Sequence, residues 1–218
     1  MRKTIPKSYE YIEKLAPNET VQMQLARQSA QELGLEQISL SSTEAQLIKF
    51  HLQNIQAQRV VEIGTLTGLS ALYILQALPQ NGFLWTLEKS DEHVQKAQIV
   101  LQHEITNKRC QIVMGDARES LKNLASEAPF DAVFIDGNKA AYLDYFDWAC
   151  KNIRVGGLVL VDNVFLSGAV WGDFSQQKFS EKQVRIVQQM NQKAFALSNF
   201  NSVFLPTEEG LLLCQKQF

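Results

Sequence analysis

Phe134-Ile135-Asp136-Gly137-Asn138-Lys139 and Val159-Leu160-Val161-Asp162-Asn163 are the stretches on which the fold turns. Each starts as an apolar run too short for a helix and stops abruptly at carboxylate and amide side chains, the pattern of a buried strand in a parallel sheet. Between them, residues 140–152 place Tyr142, Tyr145, Phe146 and Ala149 at helical spacing, and residues 154–157 read as the return turn. The result is strand, helix, strand: one right-handed crossover, with Asp136 and the Asp162-Asn163 pair at the carboxyl ends of two parallel strands. Adjacent strands lie about 4.8 Å apart. Three oxygen-bearing side chains are therefore expected to converge outside the edge where open α/β sheets bind ligands.

Working backwards, Arg59-Val60-Val61-Glu62-Ile63 reads as the first strand and runs straight into Gly64-Thr65-Leu66-Thr67-Gly68-Leu69-Ser70, followed by a helix over 71–78. Strand, glycine turn, helix brings backbone close to a nucleotide-like ligand at a helix N-terminus. The spacing is Glu-x-Gly-x-x-x-Gly, which lacks the dinucleotide fingerprint, and no lysine follows Gly68, so a P-loop is excluded. A second strand, 83–87, ends in Glu88, an acid about 20 residues past the glycine loop and placed to accept hydrogen bonds from ribose hydroxyls. A third, Cys110 to Met114, ends in Gly115-Asp116-Ala117, where an adenine edge would fall. Glu62, the glycine loop, Glu88 and Asp116-Ala117 together describe a pocket for an adenosine ligand in acidic surroundings, better suited to a cationic sulfonium nucleoside than to ATP or NAD.

The fourth and fifth strands are 132–135 and 158–161, and residues 165–179 form an aperiodic loop with Trp171 over the site. A helix over 181–197 and two closing strands, 202–205 and 211–215, complete the chain. Ahead of the first strand, residues 8–51 read as mostly helical: 20–33 places Val21, Leu25, Ala26 and Leu33 on one side, and Ser42 or Thr43 caps the next helix. The fold expected is α/β: a Rossmann-like, doubly wound, mostly parallel seven-stranded sheet with an antiparallel last strand and an N-terminal helical arm. No repeat or linker divides the chain, so one domain over 1–218 is expected, with the arm at 1–55 and the core at 56–218.

At 218 residues, 45% hydrophobic and 20% charged, the composition is that of a soluble globular protein. A formal net charge of −2 gives no general attraction to nucleic acid or anionic membrane. No apolar run reaches the roughly 20 residues of a membrane span, and no signal peptide is expected behind the basic start. Cys110, Cys150 and Cys214 read as free thiols in a reducing compartment, and a cytoplasmic location is expected.

Asp136, Asp162 and Asn163 offer oxygen alone, which selects a hard divalent ion: Mg²⁺ first, then Mn²⁺ or Ca²⁺. Three protein oxygens leave about three octahedral positions, enough for two adjacent substrate hydroxyls and a water. Lys139, three residues past Asp136, would have its pKa lowered beside such an ion, as a general base for a phenol-like hydroxyl requires.

Over almost its whole length the chain resembles the metal-dependent, catechol-type O-methyltransferases that use S-adenosyl-L-methionine, above all the caffeoyl-coenzyme A-like branch and its bacterial members. The residues that carry the resemblance are Ser41-Ser42-Thr43-Glu44-Ala45-Gln46, Val61 through Ser70, Glu88, Gly115-Asp116-Ala117, Asp136-Gly137-Asn138-Lys139, Gly156-Gly157, Val161-Asp162-Asn163 and Leu205-Pro206-Thr207-Glu208-Glu209-Gly210. It implies that Glu62, Gly64, Thr65, Ser70, Glu88 and Ala117, with Asp116 and Asp136 beside them, hold the cofactor. It also implies that Asp136, Asp162 and Asn163 hold the metal, that Lys139 is the base with Asp136 as its catalytic neighbour, and that the protein is a homodimer. Two positions depart from the family pattern: Asn138 stands where many relatives carry a second aspartate, and Glu208-Glu209 where Gly-Asp is more usual, with Glu209 then taking the acidic role.

The activity expected is methyl transfer to a hydroxyl of a catechol-like, vicinal dihydroxy aromatic small molecule. The alternative is the same chemistry on a hydroxylated tRNA base of the 5-hydroxyuridine type, with Lys151, Arg154, Lys178, Lys182 and Arg185 as a basic rim. A non-catalytic binding module would need a broken ligand set, and a nicotinamide oxidoreductase would need the absent glycine spacing.

Overall fold

The computed structural model describes residues 11–218 except 13, 177 and 208, so the helical reading of residues 8–10 and the position of Glu208 lie outside the described residues. Seven strands, β1 (Arg59–Ile63), β2 (Phe83–Glu88), β3 (Cys110–Met114), β4 (Phe130–Ile135), β5 (Ile153–Val161), β6 (Phe200–Leu205) and β7 (Leu211–Lys216), make one sheet in the order β3-β2-β1-β4-β5-β7-β6. β1 pairs with β4, β2 with β3 and β4 with β5 in parallel, whereas β7 runs antiparallel to both β5 and β6. This is the expected Rossmann-like, doubly wound sheet with its last strand reversed. Its order switches direction between β1 and β4, the place where such sheets bind ligands.

The described helices are α1 (Val21–Glu32), α2 (Ser42–Asn54), α3 (Leu69–Ala77), α4 (Asp91–Val100), α5 (Gln102–Thr106), α6 (Ala117–Leu124), α7 (Tyr142–Asn152) and α8 (Glu181–Ala196). The chain divides into two compact units, one of them the described residues to Gln58 with Thr65–Gly115. There α1 packs on α3 and α4, and α2 packs on α3. The face α1 buries is Met23, Ala26, Ser29 and Ala30, not the side bearing Val21 and Leu25: Val21 is 75% exposed. Small residues admit close helix contact, and that contact outweighed the larger apolar side chains. Ser41, one residue earlier than expected, caps α2. Glu44 N–H donates to its Oγ at 3.2 Å, and its hydroxyl donates to Glu44 at 2.6 Å, a capping box. Ahead of α1, Glu19 accepts two bonds from Arg27 (2.7 and 2.6 Å) and one from the Tyr73 hydroxyl at 3.0 Å.

The other unit comprises Arg59–Gly64 and Asp116–Phe218. β4 and β5 are apolar and almost wholly buried toward their carboxyl ends, and α7 packs on both with Tyr142 and Phe146 fully buried. Residues 154–157 are not a turn: they belong to β5, which starts at Ile153. A register shift between Phe130 and Ala132 absorbs the two glycines, and Asp131 explains why this stretch is pinned to the sheet, because its Oδ1 accepts the Arg154 Nε–H at 2.5 Å. The same contact occupies one cation of the expected basic rim. No helix of the described residues is long and apolar enough to cross a membrane.

Candidate active site

The register of β1, β4 and β5 brings the acidic strand ends side by side. Ile63 faces Ile135 and Ile135 faces Val161, and the ladder runs one residue further: Asp136 N–H donates to Ile63 O at 2.9 Å and Asp162 N–H to Ile135 O at 3.0 Å. Gly64 leaves β1 at φ 103, and a Cβ there would lie 2.1 Å from the Asp136 carbonyl oxygen. Only glycine lets the two strand ends approach this closely.

Lys139 is the hub of the site. Its Nζ donates to Asp136 Oδ1 at 2.9 Å, to Asn163 Oδ1 at 2.5 Å and to the Tyr142 hydroxyl oxygen at 2.7 Å, which uses all three ammonium hydrogens. A short 3-10 turn, Lys139–Ala141, aims it, with the Asn138 side chain accepting the Ala140 N–H. Asn163 stands at φ 56, a left-handed conformation that turns the chain out of β5. Asp162 is buried, and its Oδ1 accepts the Asn163 N–H at 2.7 Å. Tyr142 passes the network on by donating to Asp162 O at 3.1 Å. Among the predicted residues, then, Asp136, Lys139 and Asn163 meet directly, and Asp162 joins through Tyr142 and the Asn163 backbone.

One expectation is overturned. Burial pushes the Lys139 ammonium down, but the Asp136 carboxylate and the Tyr142 oxygen more than reverse this, so its pKa lies above the ordinary lysine value. The expected lowering presumed a cation as the dominant neighbour, and here the nearest charge is an anion. Burial also raises the pKa of Tyr142, which stays a phenol and donor. Tyr142 was read only as a core residue; its place three residues past Lys139, at the start of a helix, was the signal for a second role.

The other predicted residues sit as follows. In the first unit, Thr65 is buried with its hydroxyl 2.5 Å from that of Thr86, and Ser70 lies in the first turn of α3. Glu88 accepts the N–H groups of Leu66 (3.0 Å), Lys89 (2.8 Å) and Ser90 (2.9 Å), so it braces the glycine loop and keeps about one of its four lone-pair sites for a further donor. In the second unit, Glu62 is fully buried in β1. Asp116 caps α6 and binds Arg118 Nη2 at 2.8 Å, leaving Ala117 as the first helical residue. Glu209 accepts the Ser167 N–H and hydroxyl, each at 3.0 Å, a contact no local motif announced.

A sequence profile described as O-methyltransferase matches residues 13–217. The chain belongs to the O-methyltransferase family. It is 36% identical over 169 residues to the catechol O-methyltransferase of Niastella koreensis, an alignment spanning 77% of this chain and 76% of that one. To caffeoyl-CoA O-methyltransferase 1 of Eucalyptus globulus it is 27% identical over 184 residues, 82% of this chain and 75% of that one. The O-methyltransferase TomG of Streptomyces achromogenes, solved in complex with SAM, superposes with a TM-score of 0.85 at 28% identity over 97% of this chain and 96% of that one. The strand-end cluster of this O-methyltransferase thus lies on a scaffold shared along almost its full length.

Proposed function

We propose that this O-methyltransferase moves the methyl group of S-adenosyl-L-methionine to one hydroxyl of a catechol-like small molecule, with a divalent ion, Mg²⁺ or else Mn²⁺ or Ca²⁺, held by Asp136, Asp162 and Asn163. The observation that carries this reading is the convergence of Asp136 Oδ1 and Asn163 Oδ1 on a single positive charge, the Lys139 ammonium, at 2.9 and 2.5 Å. The names of the catechol and caffeoyl-CoA relatives support the acceptor class.

The residues fit the ion by donor chemistry: two carboxylates and one amide oxygen suit a hard cation. Because one donor is an amide, the set is not a carboxylate cage, and no group of three or more His, Cys, Asp or Glu able to hold a metal occurs among the described residues. When bound, such an ion lowers the pKa of a hydroxyl it coordinates. The residues assigned to the cofactor are Glu62, Gly64, Thr65, Ser70, Glu88, Asp116, Ala117 and Asp136, and the tight approach at Gly64 is the cradle that a Cβ would fill.

Lys139 and Asp136 are the catalytic pair in this reading. Lys139 holds a proton 2.9 Å from Asp136 Oδ1, and Tyr142 fixes the direction of that ammonium. To serve as a base, Lys139 has to give up the proton that Asp136 and Tyr142 retain; until then it is the positive charge against which an acceptor oxyanion is stabilised. Positioning and charge supply the acceleration, without a covalent enzyme intermediate.

The test is transfer of labelled methyl to simple diphenols, coenzyme A thioesters and bulk tRNA, with Mg²⁺ or with chelator. Diphenol labelling that requires Mg²⁺ is expected, together with loss of turnover but retention of cofactor binding in Asp136→Ala and Asp162→Ala. Transfer that ignores the chelator, or label on tRNA alone, overturns it.

A further inference from the structure

The stretch that follows Asn163 is held in a conformation it does not favour by itself. Leu166 (φ 48), Ser167 (φ 53) and Gly168 (φ 98) run consecutively through the left-handed region, and two of them carry side chains. Leu166 N–H closes the turn back onto Asn163 O at 3.4 Å.

The restraint comes from the turn between β6 and β7. The Glu209 carboxylate accepts the Ser167 N–H on Oε2 and the Ser167 hydroxyl on Oε1, both at 3.0 Å. Its backbone joins in: Phe165 N–H donates to Glu209 O at 2.9 Å, and Val164 N–H to Gly210 O at 3.2 Å. Gly210 lies so close under the Phe165 ring that a Cβ would stand 2.5 Å from it. From α8, Asn191 donates to Val164 O at 2.9 Å and Gln188 to Val170 O at 2.8 Å. Of these groups Glu209 is the one that grips the strained residues themselves, and it is the only charged one.

We infer that Glu209 is a positioning residue for the donor cluster: by clamping Ser167 it fixes the turn that holds the Asn163 amide oxygen beside Asp136. The inference rests on the metal reading above. Asn163 is anchored by the sheet on one side, through Asp162, and by this clamp on the other. Release of the clamp lets residues 166–168 relax out of the left-handed region and takes the definition of Asn163 with it.

The experiment is direct Mn²⁺ binding to the full chain, read by electron paramagnetic resonance, for wild type, Glu209→Ala, Glu209→Gln and Ser167→Ala, with S-adenosyl-L-homocysteine binding measured in parallel. Glu209→Ala is expected to weaken Mn²⁺ about tenfold or more, the usual effect of removing a group that orients a metal ligand. Glu209→Gln is expected to restore most of it, because an amide oxygen still accepts the Ser167 N–H and its NH₂ can donate to the hydroxyl. S-adenosyl-L-homocysteine affinity stays unchanged in both, which a general folding defect would not allow. Wild-type protein that binds no Mn²⁺ removes the metal reading and this inference together. Wild type that binds, with Glu209→Ala binding equally well, overturns this inference alone. Should Glu209→Ala fail to fold, Ser167→Ala, which loses only the hydroxyl bond, is expected to weaken Mn²⁺ about threefold, and an unchanged affinity there overturns the inference.

Discussion

Replacing Gly64 by alanine tests whether the close approach of β1 to Asp136 is what builds the site. The added Cβ would lie 2.1 Å from the Asp136 carbonyl oxygen and 2.8 Å from its carbon, and both are backbone atoms that cannot swing aside. Restoring an acceptable contact moves the Asp136 backbone by about 1 Å, an overpacking strain worth roughly 1–3 kcal/mol. The φ of 103 adds the penalty of a side chain in a conformation made for glycine, about 1–2 kcal/mol. Together these lower the melting temperature by roughly 4–20 °C in a chain of this size. Because Asp136 carries both the Lys139 contact and a proposed metal oxygen, a 1 Å displacement should also cut methyl transfer by about 10²-fold. Gly34 supplies the control: its φ is 67, yet nothing lies within 4 Å of a Cβ there, so Gly34→Ala registers the conformational penalty without the collision. Melting curves and methyl-incorporation rates for the two variants decide the matter. If Gly64→Ala is no less stable than Gly34→Ala and turns over at the wild-type rate, the reasoning is wrong.

Lys139→Met leaves Asp136 Oδ1 and Asn163 Oδ1 without their shared donor, so we expect a loss of about 1–3 kcal/mol on denaturant unfolding and a fall in turnover of about 10²–10⁴-fold; near-wild-type turnover would exclude Lys139 from the chemistry. Acid should act through Glu19. Burial pushes its carboxyl up, but the hydrogen bonds and charge of Arg27, with Tyr73 and Ser42, hold it below the ordinary glutamate range. A depressed folded pKa means stability that is present above the unfolded value of about 4.3 and lost as pH falls through the folded one. Wild type should therefore lose more stability than Glu19→Gln between about pH 5 and pH 3, and parallel stability-versus-pH curves for the two would refute this.

The strand ends were readable because burial on both faces leaves a signature, an apolar run that stops at polar residues, and because parallel pairing without a register slip carries the two ends to the same height. The start of β5 was not readable. Arg154-Val155-Gly156-Gly157 has the composition of a turn, and only the Asp131 carboxylate and the register shift opposite Phe130 keep it in the sheet. α1 misled in a similar way, since nothing in its own periodicity says whether a neighbour requires large or small residues. The cap at Ser41 was legible after all: Ser-x-x-Glu is present in the chain, one residue ahead of the serine and threonine first considered.

The order of elements, the reversed last strand and the donor types at Asp136, Lys139, Asp162 and Asn163 follow from the amino-acid sequence alone, because periodicity and residue chemistry are local properties. The charge state of Lys139, its capture by Asp136, Asn163 and Tyr142, and the clamp of Glu209 on Ser167 were decided by the tertiary structure. Ser167 and Glu209 are 42 residues apart in the chain, and a pKa is set by whatever stands within a few ångströms of the group in space, so neither can be read from neighbours in sequence.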